Sequence, residues 1–448
     1  MKNAVIPRER KSGGRKPMPE TRVQVIGAGL AGCEAADRLT RYGIGVDLYE
    51  MKPQKHSPAH KTDTFAELVC SNSLRSDRIE NAVGLLKEEM RVLDSLIMEC
   101  ADRTRVPAGG ALAVDREGFS NLVTERIRSN PRIHIIQEEC DTVPDAPCII
   151  ATGPLTSEPL CASIEKMTGH NLHFYDAAAP VVTRESLDDA YVFRASRYDR
   201  GADYLNCPMT REEYGAFYRA LITAETVPLH EFETPRVFEG CMPVEIMAKR
   251  GEMTLAYGPM KPVGLSTEGK RPFAVVQLRQ DNAEGTLYNI VGFQTNLKFG
   301  EQKRVFGMIP GLAHAEYARY GVMHRNTFLN SPGFLNENYM VRQKEELYFA
   351  GQITGVEGYV ESAASGLLAA IQLGRFLKAL PDIGFPATTA IGALGHYVSD
   401  YCGNDFQPMN ITFGIMDQMP NAPRSKKERY AAIAERALDT VKAIKEKM

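Results

Sequence analysis

The run Val23-Gln24-Val25-Ile26-Gly27-Ala28-Gly29-Leu30-Ala31-Gly32, followed by an acid at Glu50, constrains this chain more than any other feature. A β-rich strand feeds a glycine turn, the turn opens a helix, and the acid closes a second apolar stretch 23 positions after Gly27. That order is a dinucleotide-binding fingerprint. Gly27 permits the tight turn, Gly29 lets a pyrophosphate approach the backbone, and Gly32 lets the helix pack close to the strand. Backbone N–H groups around Ala28, Leu30 and Ala31 then face the phosphates, helped by the helix dipole. The spacing predicts a helix over 31–42 stopped by Gly43, then a strand over 44–49. Glu50 at its end is placed to accept hydrogen bonds from the hydroxyls of an unphosphorylated ribose. The blander alternative is a tight strand–helix turn with no ligand. Strand, turn, helix, strand and acid in sequence favour the nucleotide.

A chain of 448 residues has room for two or three domains. Its net charge of −3 shows no global preference for nucleic acid, so any RNA partner must meet a local basic surface. No apolar run approaches the ~20 residues of a membrane helix, and no secretory core opens the chain. Residues 1–20 read as a mobile basic tail carrying Lys2, Arg8, Arg10, Lys11, Arg15 and Lys16. Nine cysteines without a CxxC pair point to reduced thiols in the cytoplasm, with neither a disulfide framework nor a metal site.

Two later segments extend the nucleotide reading. Cys148-Ile149-Ile150-Ala151-Thr152-Gly153 is an apolar strand ending in a small-residue turn, of the kind that returns beside the first strand and passes close to a flavin. In Leu347-Tyr348-Phe349-Ala350-Gly351-Gln352, a strand leads through Gly358 into an alanine-rich helix expected over 361–377, beginning at Glu361. The positive end of that helix suits the electron-rich pyrimidine edge of a flavin. These elements predict an α/β fold with a Rossmann-like FAD-binding domain, discontinuous in sequence, built from 21–105, 145–160 and 330–448. An α+β substrate domain over 161–329, rich in Tyr, Phe and short alternating strands at 273–278 and 287–293, is inserted into it. There is no second GxGxxG followed by an acid, so a nicotinamide cofactor visits the flavin without a Rossmann domain of its own.

Two cysteines have unusual surroundings. Cys70 lies in the polar stretch Glu67-Leu68-Val69-Cys70-Ser71-Asn72-Ser73-Leu74-Arg75, shortly after the fingerprint and with a cation near. Cys241 sits in Arg236-Val237-Phe238-Glu239-Gly240-Cys241-Met242-Pro243-Val244-Glu245, where nearby carboxylates oppose thiolate formation unless Arg236 pairs with them. Each is equally well read as a small buried hydrophobe.

The motifs GAGLAGCEAA, FAELVCSNSLRSD, VFEGCMPVEIMA, VGFQTNLKFGEQKRVFGMIPGL and FAGQITGVEGYVESAASG, in register over about 21–420, closely resemble the folate- and FAD-dependent tRNA uracil-5-methyltransferase family. The resemblance implies transfer of a one-carbon unit from 5,10-methylenetetrahydrofolate, by way of reduced FAD, to carbon 5 of the T-loop uridine of tRNA, with NADPH or NADH as reductant. By similarity Cys241 matches the proposed nucleophile and Cys70 its acid–base partner, and the two roles are exchangeable. A thiolate suits addition to carbon 6 of uracil, and a thiol or carboxylate suits removal of the proton from carbon 5.

Other candidates have stronger ordinary explanations. Lys298, Lys303 and Arg304 suit phosphate contact or a solvated face, and Arg424, Lys426, Lys427 and Arg429 suit RNA contact or an amphipathic surface helix. His324, Arg325, Asn326, Thr327 and Gln352 are candidates for the flavin or folate pocket. The rival functions are a flavin-dependent thiol or small-molecule oxidoreductase, a homologue that binds without turnover, and the same chemistry on ribosomal RNA.

Overall fold

Arg22–Ile26 lies at the centre of a five-stranded parallel sheet, in the order Leu347–Phe349, Cys148–Ile150, Arg22–Ile26, Gly45–Tyr49, Ile133–Ile136. The computed structural model describes residues 22–145, 147–169, 171–197, 201–228, 242–267, 269–403, 406–420 and 422–448, with 171–176, 324 and 325 in backbone only. The expected basic tail and Cys241 fall outside the described residues. Numbered along the chain, the strand order is 5-4-1-2-3. It is a doubly wound sheet whose direction of growth reverses between Arg22–Ile26 and Cys148–Ile150, and such sheets bind ligands beyond the carboxyl ends at that reversal. Val23, Val25, Val46, Leu48 and Ile149 are fully buried, as expected where both faces of a parallel sheet are covered. Ile133–Ile136 comes from a stretch outside the three segments expected to build this domain.

Helix Leu30–Arg41 starts and ends one residue earlier than the spacing predicts, because Gly29 is its N-cap and Tyr42 its C-cap. A Cβ on Gly32 would lie 1.8 Å from the Gly27 carbonyl oxygen, so only glycine lets the helix pass this close to the turn. Helix Tyr359–Leu377 starts two residues before its expected onset, directly after Gly358 at φ 108°. It packs across the first helix so tightly that a Cβ on Gly366 would meet the Ala31 oxygen at 2.2 Å. One large apolar core, drawn from 23–164 and 329–444, joins these elements.

A second core, drawn from 182–312, lies against a six-stranded antiparallel sheet. The strands expected over 273–278 and 287–293 are Ala274–Gln280 and Leu287–Ile290. Alternation along the former sends Val276 and Leu278 into this core, with Leu205, Tyr288 and Ile290. Gln277 and Arg279 occupy the opposite face, in register with Asn206 and Asn289, and all four are nevertheless buried. A buried polar sheet face must be covered by polar partners. Among the described residues, no helix is long and apolar enough to cross a membrane.

Candidate active site at the ends of the parallel strands

The fingerprint turn opens onto two adjoining hollows beyond the carboxyl ends of the central strands. The smaller, of about 90 Å³, is lined by Gly27, Ala28, Gly29, Glu50, Lys52 and Thr152, among others. Gly27 has φ 99°, and a Cβ there would meet the Ala151 carbonyl at 2.8 Å. Around Gly29 nothing lies within 4 Å of a Cβ position, which leaves its backbone open to a bulky anion. Glu50 is buried, and its oxygens accept from Ala28 N–H at 3.0 Å and Lys52 N–H at 3.1 Å. The acid therefore fixes the glycine turn as well as lining the hollow, with lone pairs to spare for a ribose hydroxyl. His60 is bound through Nδ1 to Ser57 Oγ at 2.6 Å, and burial holds its pKa below the usual range, so the ring is neutral.

The larger cavity, of about 350 Å³, is lined by Gly29, Leu30, Ala31, Thr152, Gly153, Gly351, Gln352 and Gly358, and also by Cys70. Segments about 280 residues apart thus meet on one surface. Gln352 donates to both Glu357 oxygens at 2.9 Å, and Ser365 Oγ accepts from Gly351 N–H at 2.7 Å. Two expected residues serve the wall from behind. Gly32 is the helix–strand contact described above. Glu361 is fully buried, ion-paired to Arg75, and accepts from Ile411 N–H at 3.0 Å.

Cys70 is held by residues without an obvious local signal. Tyr359 Oη accepts from the backbone N–H of Cys70 at 2.8 Å and of Ser71 at 3.4 Å, and lies 3.1 Å from Cys70 Sγ. Burial, with Cys70 adding to it, pushes the Tyr359 phenol well above its usual pKa, so it keeps its proton and has one hydrogen to offer the sulfur. Three arginines grip the same loop. Arg116 donates to the carbonyls of Leu68 and Val69 while paired to Asp281 at 2.8 and 3.0 Å, and Arg319 donates to Val69 O at 3.0 Å. Arg279 donates to Ser71 Oγ at 2.7 Å and Asn72 Oδ1 at 3.0 Å. The Cys70 loop belongs to the first core's part of the chain, whereas Asp281, Arg279 and Arg319 come from the second sheet and its edge. Lys87 supports the neighbouring strand Ser73–Ser76, donating to Leu74 O at 2.9 Å and Ser76 O at 2.6 Å, and burial lowers its pKa to about 7.

The chain re-enters description just after Cys241, at Met242, and Val244 N–H donates at 2.7 Å to the carbonyl of Gln294, a residue of the larger cavity. Glu245 is turned away onto Thr295 Oγ1 and Asn296 N–H, both at 2.8 Å. Asn326 lines the cavity, Thr327 is buried outside it, and the side chains of His324 and Arg325 are not described. Lys298 pairs with Glu225 at 2.6 Å, Arg304 with Glu301, and Lys303 lies over the Tyr320 ring, all away from the cavity. Lys426 and Arg429 cover the Tyr430 ring on the last helix, the ordinary use of such a charged face. Arg116, Arg279, Asn289 and Tyr359 had no place among the expected site residues. The polar-apolar alternation of Val276-Gln277-Leu278-Arg279 was the available signal for Arg279.

Comparison with known proteins agrees with this geometry. The family model described as Glucose inhibited division protein A matches residues 22–381. The methylenetetrahydrofolate--tRNA-(uracil-5-)-methyltransferase TrmFO of Listeria welshimeri is 58% identical over 96% of this chain and 100% of its own length. The protein of the same name from Bacillus subtilis is 58% identical over 95% and 99%. Among solved structures, Aquifex aeolicus GidA shares the fold at 14% identity, with TM-score 0.69 over 95% of this chain and 74% of that one. The chain belongs to the glucose inhibited division protein A family and, within it, to the methylenetetrahydrofolate--tRNA-(uracil-5-)-methyltransferases.

Proposed function

We infer that this chain transfers a one-carbon unit from 5,10-methylenetetrahydrofolate to carbon 5 of uracil in tRNA, giving 5-methyluridine, as its relatives' names state for them. The observation that carries the reading is the continuity of the hollow from the open backbone of Gly29 to the thiol of Cys70. FAD fits the residues present: the Gly27–Gly29 turn for its pyrophosphate, Glu50 for the ribose, Thr152, Gly153, Gly351 and Gln352 along its length, and the Tyr359–Leu377 helix start near its ring. Bound there, FAD would supply the two-electron redox chemistry that methyl formation from a methylene unit requires. NADPH or NADH is the reductant, the T-loop uridine is the target, and the compartment is the cytoplasm.

The chain's own residues have definable tasks. Carbon 5 of uracil is a poor nucleophile until a thiolate adds to carbon 6, and a second group must then take the carbon 5 proton. Cys241 and Cys70 fill these two roles, nucleophile and acid–base partner, in either assignment. Support for Cys70 is its place in the cavity wall and its contact with the Tyr359 hydroxyl. Two separate apolar cores support a division into an FAD-binding domain and an inserted substrate domain, with the stretch between 105 and 145 joining 21–105, 145–160 and 330–448 in the former, since Leu112, Phe119 and Val123 lie in its core and Ile133–Ile136 in its sheet. Incubation of the yellow, flavin-loaded protein with undermodified tRNA, methylenetetrahydrofolate and NAD(P)H should yield 5-methyluridine on nucleoside analysis. Methylation of ribosomal RNA alone would keep the chemistry and change the substrate, and no methylation of either would overturn the reading.

A further inference from the structure

Asn289 combines burial with an unmet hydrogen-bond donor in the wall of the larger cavity. It is 2% exposed, and its Nδ2 has no partner. A buried amide donor left unpaired is costly and seldom retained without a ligand. The orientation of this amide is set by its neighbour across the strands, because Oδ1 accepts from Arg279 Nη2 at 3.4 Å. Turning the amide over would place donor against donor. The next polar pair on the same sheet face shows the contrast, since Gln277 Nε2 donates to Asn206 Oδ1 at 3.0 Å and Asn206 Nδ2 is met by backbone carbonyls. Of these four residues, only Asn289 has a fully buried side-chain donor left without a partner.

We propose that Asn289 Nδ2 binds a ring carbonyl of a planar pyrimidine-type heterocycle in the cavity, with Arg279 as the positioning residue that aims it. The group bound must be an acceptor, because Nδ2 can only donate. It is a neutral carbonyl in preference to a carboxylate or phosphate. The Nε and Nη2 of Arg279 already serve Asn72 and Ser71, so no parallel fork remains for a bidentate grip on an anion. The adjoining wall of Val291 and Gly292 is apolar and suits a flat ring. Uracil and flavin share this carbonyl edge, and the identity of either ring rests on the function proposed above.

Asn289→Asp is nearly isosteric, keeps an acceptor for Arg279 and replaces the donor by an acceptor. Asn289→Ala removes both groups. In the flavin-loaded full chain, single-turnover methylation of undermodified tRNA is measured beside flavin content and visible spectrum. If the carbonyl belongs to uracil, methylation falls about tenfold to a hundredfold with flavin content and spectrum unchanged, and Asp is worse than Ala. If it belongs to the flavin, the same order appears as a shifted spectrum or lost flavin, and the carbonyl contact stands with the cofactor as its source. Wild-type behaviour of both variants in both measurements overturns the proposal, as does an equal loss in both that follows their loss of thermal stability. Failure of the wild-type chain itself to methylate RNA would overturn the reaction, while the flavin spectrum would still report the carbonyl contact.

Discussion

Cys70 owes its setting to residues far along the chain: Tyr359, 289 positions away, and Arg279, 208 positions from Ser71. Gly27, Gly29 and Gly32 were legible because a tight turn, an open approach and a close helix–strand contact each dictate glycine locally. Arg116, Arg279 and Tyr359 were not, since their partners exist only after long-range packing. Cys70→Ala should retain bound flavin and its visible spectrum while losing at least about a hundredfold in methylation, the scale for a positioned acid–base group. Near-normal turnover would remove Cys70 from the chemistry. Tyr359→Phe keeps the ring and removes the oxygen that bonds two N–H groups and faces the sulfur. It should cost about 1–3 kcal/mol in urea unfolding, because buried N–H groups are left unpaired. Methylation should fall more than flavin binding does.

Several helix ends in the first core are held by buried carboxylates, a device invisible to local pattern. Glu34 accepts from Leu96 and Ile97 N–H, and Glu89 accepts from Ala390 and Ile391 N–H at 2.7 and 2.9 Å. Burial raises the Glu89 carboxyl from near 4.5 to about 8, and its two amide bonds only partly oppose the shift. Across that window the folded chain binds a proton that the unfolded chain has lost, so this group makes stability fall as pH rises from about 5 to about 8. Glu89→Gln should be flatter over the same range when Tm is followed against pH. An unchanged slope would place the titration elsewhere. At this scale the first helix and the strands Gly45–Tyr49 and Ala274–Gln280 were legible within a residue or two, whereas the strand expected over 287–293 stops at Ile290 and Ile133–Ile136 carried no expectation. The onset of helix Tyr359–Leu377 was shifted because Gly358 caps it before its polar first turn begins.

The whole molecule places its cavity where the parallel sheet's order reverses and where the second sheet turns a polar face toward the Cys70 loop. The return of the Cys148–Ile150 strand beside the first followed from the sequence, but the seam did not, because an Arg116–Asp281 pair buried at 7% and 3% exposure is formed between the two halves. Asp281→Ala strands the Arg116 charge and should cost about 3–5 kcal/mol of stability in urea unfolding. It should also loosen Leu68 and Val69, so that methylation in the still-folded protein drops more than flavin content. A loss below about 1 kcal/mol would show that the seam is held by other contacts. Passage of a folate carbon to uracil in one cavity is followed with methylenetetrahydrofolate labelled with ¹³C at the methylene. After reaction of the flavin-loaded chain with undermodified tRNA and NAD(P)H, mass spectrometry of the nucleosides should find 5-methyluridine with the label in its methyl group. Unlabelled 5-methyluridine, or none from a fully loaded enzyme, would rule out folate as the source of the methyl carbon.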